Sequence, residues 1–237
     1  MIFAGVVAVT LAGFALGAAV MAAGSRDVSP ATARARWYKL AVFFVIVHVV
    51  LAAAALGRPW VLGLLAAILV AGTVELALAW QRVAEPRPAL VWPVFLAAGL
   101  AAAWNTARLP PSAFGYLFLC AAAGDGFAQV VGQWLGRRPL APRVSPAKTI
   151  EGFLAGLCAA ASVAAMASGL VAGLELPRAV LLGVVVGVTG LAGDLAASWV
   201  KRRAQLKDYS TVLPGQGGFL DRFDSLLGTL ALAGWLL

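Results

Sequence analysis

Four aspartates interrupt apolar runs of the length, about 20 residues, that crosses a bilayer as a helix. Asp125 lies in GDGFAQ, Asp194 in GLAGDLAAS, and Asp221 and Asp224 in FLDRFDS. An ionisable group inside such a run is costly, so each marks function until a structural partner explains it. At 1.5 Å rise per residue, Asp125 stands on the order of 16 Å, and Asp194 about 10 Å, from the basic end of its run. The i, i+3 spacing of Asp221 and Asp224 puts both carboxylates on one helical face. Three helices thus deliver carboxylates from the same side. Asp221 and Asp224, joined by Asp194 from the preceding helix, repel one another unless a cation sits between them, and hard divalent ions prefer oxygen ligands. Mg2+ held by Asp194, Asp221 and Asp224 is the expectation, with a second cation left open. The alternative for Asp221 and Asp224 is simple pairing with Arg222 and the basic loop, as interfacial side chains do. Asp125 stands between lining a site and hydrogen-bonding a neighbouring helix.

Two basic segments adjoin these carboxylates. In GRRPLAPRVSPAKTIEG, residues 136–152, Ser145, Lys148 and Thr149 end where a helix begins, so their side chains and the first helical amides can converge on an anion. In SWVKRRAQLKDYSTVLPGQGGFLDRFD, residues 198–224, Pro-Gly and Gly-Gly steps permit a tight turn just before the acidic helix. Phosphates would meet Lys and Arg there, although either segment alone reads as an ordinary anchor at the membrane surface. Glu75, alone in its apolar run, gets no functional assignment, and Glu151 reads as a residue favoured by the helix dipole. His48, flanked by Val and Ile, reads as a neutral histidine bonded to a neighbour, and Cys120 and Cys158 as small packing residues. No GxSxG elbow, GxxxxGK[ST] loop or HExxH helix occurs, so acyl-enzyme and P-loop chemistries lose support.

The elements that must position these groups are membrane helices. Of 237 residues, 62% are hydrophobic and 12% charged, too little polar surface to cover a water-soluble globule of this size. Eight apolar stretches account for nearly the whole chain: roughly 2–23, 38–57, 60–80, 90–107, 113–135, 152–174, 178–200 and 219–237. The first has no basic residue ahead of it and is longer than a signal-peptide core, so it is expected to be a helix. Odd-numbered connections carry fourteen basic residues, from Arg26 through Lys207; even-numbered ones carry three, Arg58, Arg108 and Arg178. By the positive-inside rule the odd connections face the cytoplasm, which predicts eight spans with both termini outside. The net charge of +8 follows this topology rather than a nucleic-acid surface, so no nucleic-acid partner is expected. The expected organisation is amino-terminal transmembrane helices over 1–112 and a catalytic transmembrane region over 113–237, with cytoplasmic loops 136–149 and 201–218.

The run Ser198, Lys201, Arg202, Lys207, Asp208, Pro214, Gly217, Gly218, Asp221, Arg222, Asp224 resembles the signature of the phosphatidate cytidylyltransferase (CDP-diacylglycerol synthase) family, S-x-x-K-R-x4-K-D followed by P-x-H-G-G-x-x-D-R-x-D. SPAKTIEG resembles the family's SPKKT-x-EG segment, and GDGFAQVVGQWLGRR, more loosely, its D-x-x-A-Y-x-x-G-x-x-x-G stretch. Together these cover roughly residues 120–225. Gln216 stands where the family has His, and Gln129 where Tyr is usual.

The resemblance implies an all-α polytopic protein of a bacterial-type inner membrane, with its active site facing the cytoplasm and CTP, phosphatidic acid and the bilayer as partners; a homodimer is left open. It implies that the phosphate of phosphatidic acid attacks the α-phosphorus of CTP and expels pyrophosphate. A phosphate monoester is already anionic near neutral pH, so positioning and charge neutralisation should dominate over general-base catalysis. Lys201, Arg202, Lys207 and Arg222, with Asp208, fall at the reacting phosphates; Ser145, Lys148 and Thr149 form a second anion site. Ser198, Gln216 and Asp125 line the substrate, and Gly217 and Gly218 let the backbone approach the nucleotide. Two alternatives remain: a CTP-dependent lipid kinase of the polyprenol type, and an inactive membrane scaffold or a transporter. Against the last, the polar residues cluster at one membrane face rather than at the midplane.

Overall fold

The computed structural model describes residues 2–24, 29–83, 87–213 and 216–237; Arg26, Pro214 and Gly215 lie outside the described residues. Helices make up 79% of the structure. In chain order they are α1 (Ile2–Gly24), α2 (Pro30–Leu56), α3 (Arg58–Trp80), α4 (Val91–Arg108), α5 (Pro111–Leu135), α6 (Ile150–Met166), α7 (Leu176–Arg203) and α8 (Leu220–Leu232). Proline opens α2 and α5 and lies within the first turn of α3 and α7, where its missing N–H costs nothing. Among the described residues, α2, α3, α5 and α7 are long and apolar enough to cross a membrane. The chain is a multi-pass membrane protein built from α-helices. The sixth and eighth apolar stretches are less continuous than expected. α6 stops at Met166 before a 3-10 turn over Ser168–Leu170, and α8 passes into another over Ala233–Leu236.

The expected loop 136–149 contains a hairpin instead. β1 (Pro139–Ala141) pairs antiparallel with β2 (Ser145–Thr149), Pro139 opposite Thr149 and Ala141 opposite Ser145. A Val144 N–H to Ala141 carbonyl bond of 3.1 Å closes its turn. Its base is tied to α6: the Glu151 carboxylate accepts from the Arg137 and Arg138 amides at 3.0 and 3.1 Å and from Arg138 Nε at 3.0 Å. Glu151 therefore acts through specific bonds as well as through its place in the first turn.

Small residues bring α5 through α8 into close contact, as membrane helices require when no water-driven force pulls them together. A side chain at Gly156 would lie 2.7 Å from the Gly124 carbonyl, one at Gly183 2.7 Å from the Ala160 carbonyl, and one at Gly193 2.3 Å from the Asp224 carbonyl. The last approach sets Asp194 beside Asp224. α8 is the most enclosed helix. Only Arg222, Gly228 and Leu232 of its 13 residues are not buried, and α3, α4, α5 and α7 pack around it.

At the end of the bundle remote from the aspartates, the three arginines of the even-numbered connections are all spent on helix ends. Arg58 donates to the Ala107 and Leu109 carbonyls of α4's last turn. Arg108 donates to the Gly234 carbonyl at 2.6 Å and to Asn105 Oδ1 at 2.9 Å, with its guanidinium over Trp235. Arg178 donates to the Leu236 carbonyl at 2.6 Å. Asn105 itself donates to the Leu230 carbonyl at 2.8 Å. His48 bonds the Phe44 carbonyl at 2.8 Å, as expected of a histidine serving a neighbour.

Candidate active site

The charged side chains gather where β2, α5, the carboxyl-terminal part of α7 and the first turns of α8 meet. Lys148, on β2, forms an ion pair with Asp194 of α7. Burial works against its ammonium, but Asp194 first, and then Asp125 and Asp224, outweigh that cost and hold its pKa above the ordinary lysine value. Ser198, one turn after Asp194 on α7, donates its hydroxyl to Asp194 Oδ1 at 3.1 Å. Asp224 accepts from the Ser225 amide at 2.7 Å and lies within electrostatic range of both Asp194 and Asp125. Asp125, on α5, interacts with the Ser225 hydroxyl. One lysine therefore faces three carboxylates supplied by three helices.

Asp221 belongs to a different arrangement. Its Oδ1 receives Lys201 Nζ at 2.5 Å, and its Oδ2 accepts from the Tyr209 and Gly218 amides, each at 2.8 Å. Lys201 also stands over the Tyr209 ring, 5.4 Å from its centroid. Tyr209 donates its hydroxyl to the Ala197 carbonyl at 3.0 Å; burial, followed by Asp224, Asp221 and Glu75, pushes that hydroxyl's pKa up. The result is a pinned loop between α7 and α8. Gln205, at φ 57°, breaks α7, and Gly217, at φ 86°, takes the left-handed turn that returns the chain to α8. A Leu213 N–H to Gly217 carbonyl bond of 2.8 Å closes that turn.

Glu75 reaches this loop from α3. Its carboxylate accepts from Ser210 Oγ at 2.6 Å, the Phe219 amide at 3.0 Å and the Leu220 amide at 2.8 Å. Gly218 makes room for it, since a Cβ there would lie 2.4 to 2.7 Å from the carboxylate atoms. Gln216 donates to the Lys39 carbonyl of α2 at 2.9 Å and accepts from Arg222 NH1 at 3.0 Å.

The structure thus joins Lys148, Asp194, Ser198, Asp224 and Asp125 in one cluster and Lys201, Asp221 and Gly218 in another. Asp221 is engaged by a lysine and two amides. Arg202 donates to the Val144 and Leu206 carbonyls, each at 3.1 Å, and so braces the hairpin against the end of α7. Thr149 caps α6, accepting the Gly152 amide at 3.1 Å. Gly218 leaves room for the Glu75 carboxylate. Ser145 lies half-buried on β2, while Lys207, Asp208 and Arg222 are exposed. Sequence reasoning missed Glu75 and Tyr209. For Glu75 the signal was present, a lone carboxylate in an apolar helix, the same signal that singled out the aspartates.

Among the described residues no three carboxylate, histidine or cysteine side chains close into a ready-made metal cage. Mg2+ does not need one, because it is commonly held by one or two carboxylates together with substrate phosphates. Asp194 and Asp224, on adjacent helices, fit that requirement with Asp125 nearby. Asp221 already accepts a lysine ammonium and two backbone amides.

Fold and site together define a multi-pass membrane protein with acidic and basic side chains gathered at one end of a helix bundle. The profile of the cytidylyltransferase family matches residues 111–237, and the chain belongs to that family. It is 44% identical over 115 residues to the phosphatidate cytidylyltransferase of Bacillus subtilis, a match covering 48% of this chain and 42% of that protein. It is 41% identical over 107 residues to the phosphatidate cytidylyltransferase of Aquifex aeolicus, covering 44% and 38%. An uncharacterized Escherichia coli protein, YnbB, is 37% identical over 134 residues, covering 54% and 45%. In each case the match spans less than half the length of the relative.

Proposed function

We propose that the chain is a phosphatidate cytidylyltransferase, transferring CMP from CTP to phosphatidic acid to give CDP-diacylglycerol and pyrophosphate. The observation that carries this reading is the cluster of Lys148, Asp194, Asp224 and Asp125 inside the family-matched region. An oxygen of the phosphatidate phosphate attacks the α-phosphorus of CTP, and the bond from that phosphorus to the bridging oxygen of pyrophosphate breaks. No proton has to be removed from the nucleophile, so the protein's work is alignment and charge balance. Asp194 and Asp224 would hold Mg2+, which when bound neutralises charge on the phosphate oxygens and the leaving pyrophosphate.

Lys148, kept charged and aimed by Asp194, meets the anionic substrates from the hairpin side. Lys207 and Arg222 also meet them, and Gln216 orients Arg222 without shuttling a proton. Lys201 and Asp221 hold the loop that carries Lys207 and Asp208. Transfer of label from the α-phosphorus of CTP into extractable lipid tests the reading directly.

We also propose eight crossings of a bacterial-type inner membrane, with the hairpin and the 204–219 loop in the cytoplasm, where CTP is available. The asymmetry of the basic residues supports this orientation. It is strengthened because Arg58, Arg108 and Arg178, the opposing residues in the count, are used to cap helix ends. Cysteines introduced at Ser145 and Ser210 should react with an impermeant reagent only after the membrane is opened. Labelling of either in intact cells would overturn the orientation.

A further inference from the structure

α8 carries Asp224 and Asp221, yet its own sequence supplies no conventional cap: Phe219 occupies the N-cap position and has no side-chain oxygen to offer. The orphan amides at a helix start must find acceptors, and here they find them in carboxylates. Asp221 turns back to take the Gly218 amide, and Glu75 takes those of Phe219 and Leu220. Glu75 lies outside residues 111–237, in a helix for which no motif speaks. Its carboxylate is buried, and all three of its donors belong to the loop and helix that carry the acidic residues. A negative charge at this position also meets the positive end of the α8 dipole.

From these contacts we infer that Glu75 is a positioning residue for the reaction: a cap supplied by α3 that sets where α8 begins and so holds Asp224 against Asp194. Gly218 is the other half of the device, because its lack of a side chain is what lets the Glu75 carboxylate seat. The inference rests on the proposed transferase reading for its kinetic consequence, but its structural content stands apart. It also means that the amino-terminal helices complete the site rather than merely anchoring it.

Glu75→Gln keeps the volume but leaves one amide facing a donor instead of an acceptor. In the full-length protein in lipid it should lower kcat about tenfold, with KM for CTP and for phosphatidate shifting by less than about threefold. Hydrogen exchange at the Phe219 and Leu220 amides should speed up by about tenfold or more while α5 and α6 keep their protection. Gly218→Ala, which drives a methyl into the carboxylate, should produce the same loss in the native background and little further loss when combined with Glu75→Ala. A Glu75→Ala protein with kcat within about twofold of native, or losses from Glu75→Ala and Gly218→Ala that simply multiply, would overturn the inference. If the native protein transfers no CMP at all, the functional reading fails instead, and exchange at Phe219 and Leu220 still decides the part of Glu75.

Discussion

The two ends of the helix bundle use charge in opposite ways. At one end Arg58, Arg108 and Arg178 each find backbone carbonyls at the close of a helix, and Arg108 adds Asn105 and the Trp235 ring. Each of these three arginines has backbone acceptors. At the other end Lys148 is paired with Asp194 and stands within electrostatic range of Asp125 and Asp224. On the proposed reaction, a cation and its phosphates would complete this arrangement. On the proposed function, the contrast separates charges that stabilise a fold from charges kept for a substrate, although both break the same rule about ionisable groups in apolar surroundings.

The same contrast recurs within the acidic end. Asp221 and Lys201, with side chains 1% and 9% exposed, form a closed pair like those of the arginine end. Asp194 and Asp224 belong to the Lys148 cluster. Asp194→Asn and Asp224→Asn should therefore lower kcat by at least about 10²-fold, about 2.7 kcal/mol of barrier, while the protein stays folded. Retention of more than about a tenth of native turnover by either would remove that residue from the chemistry. Asp221→Asn should act first on stability: it strands a buried lysine, which costs about 3 to 5 kcal/mol. Adding Lys201→Met should recover much of that loss, seen as a raised unfolding temperature. A cation ligand would behave in the reverse manner, with activity lost, stability kept and no recovery from the second change.

The smallest effect on turnover is expected at the opposite end. Arg108→Gln removes charged hydrogen bonds worth about 1.5 to 3 kcal/mol each before compensation, so thermal unfolding should come earlier. The kcat/KM of the folded fraction should stay within about twofold of native, because nothing at that end touches the cluster. A large loss of activity without loss of stability would erase the distinction between the two ends.

Much of this was legible in the residues themselves. The eight apolar stretches fall on the eight helices, and Asp125, Asp194 and Asp224 stood out because charge inside an apolar helix is costly. The hairpin was hidden by Pro139, Pro142 and Pro146, which signal a loop, yet proline is tolerated where a two-stranded sheet is all edge. The i, i+3 spacing of Asp221 and Asp224 correctly shares a face in the middle of a helix, but position 221 lies in the first turn, where a carboxylate can fold back onto free amides instead. Glu75 carried the same signal as the aspartates, but its role was not legible. Its partners Ser210, Phe219 and Leu220 lie 135 to 145 residues along the chain, and only packing of α3 on α8 brings them together.

The central claim is that the cluster of Lys148, Asp194, Asp224 and Asp125 directs attack on the α-phosphorus of CTP. Purified full-length protein in phosphatidate-containing vesicles, given Mg2+ and CTP labelled at either its α- or its γ-phosphorus, tests it directly. The α label should move into the lipid one for one with release of the γ label as pyrophosphate, and both should vanish in Asp224→Asn. Entry of the γ label into lipid with release of CDP would show phosphoryl transfer to a lipid acceptor, and absence of either transfer would show no catalysis of this kind; each result contradicts the claim.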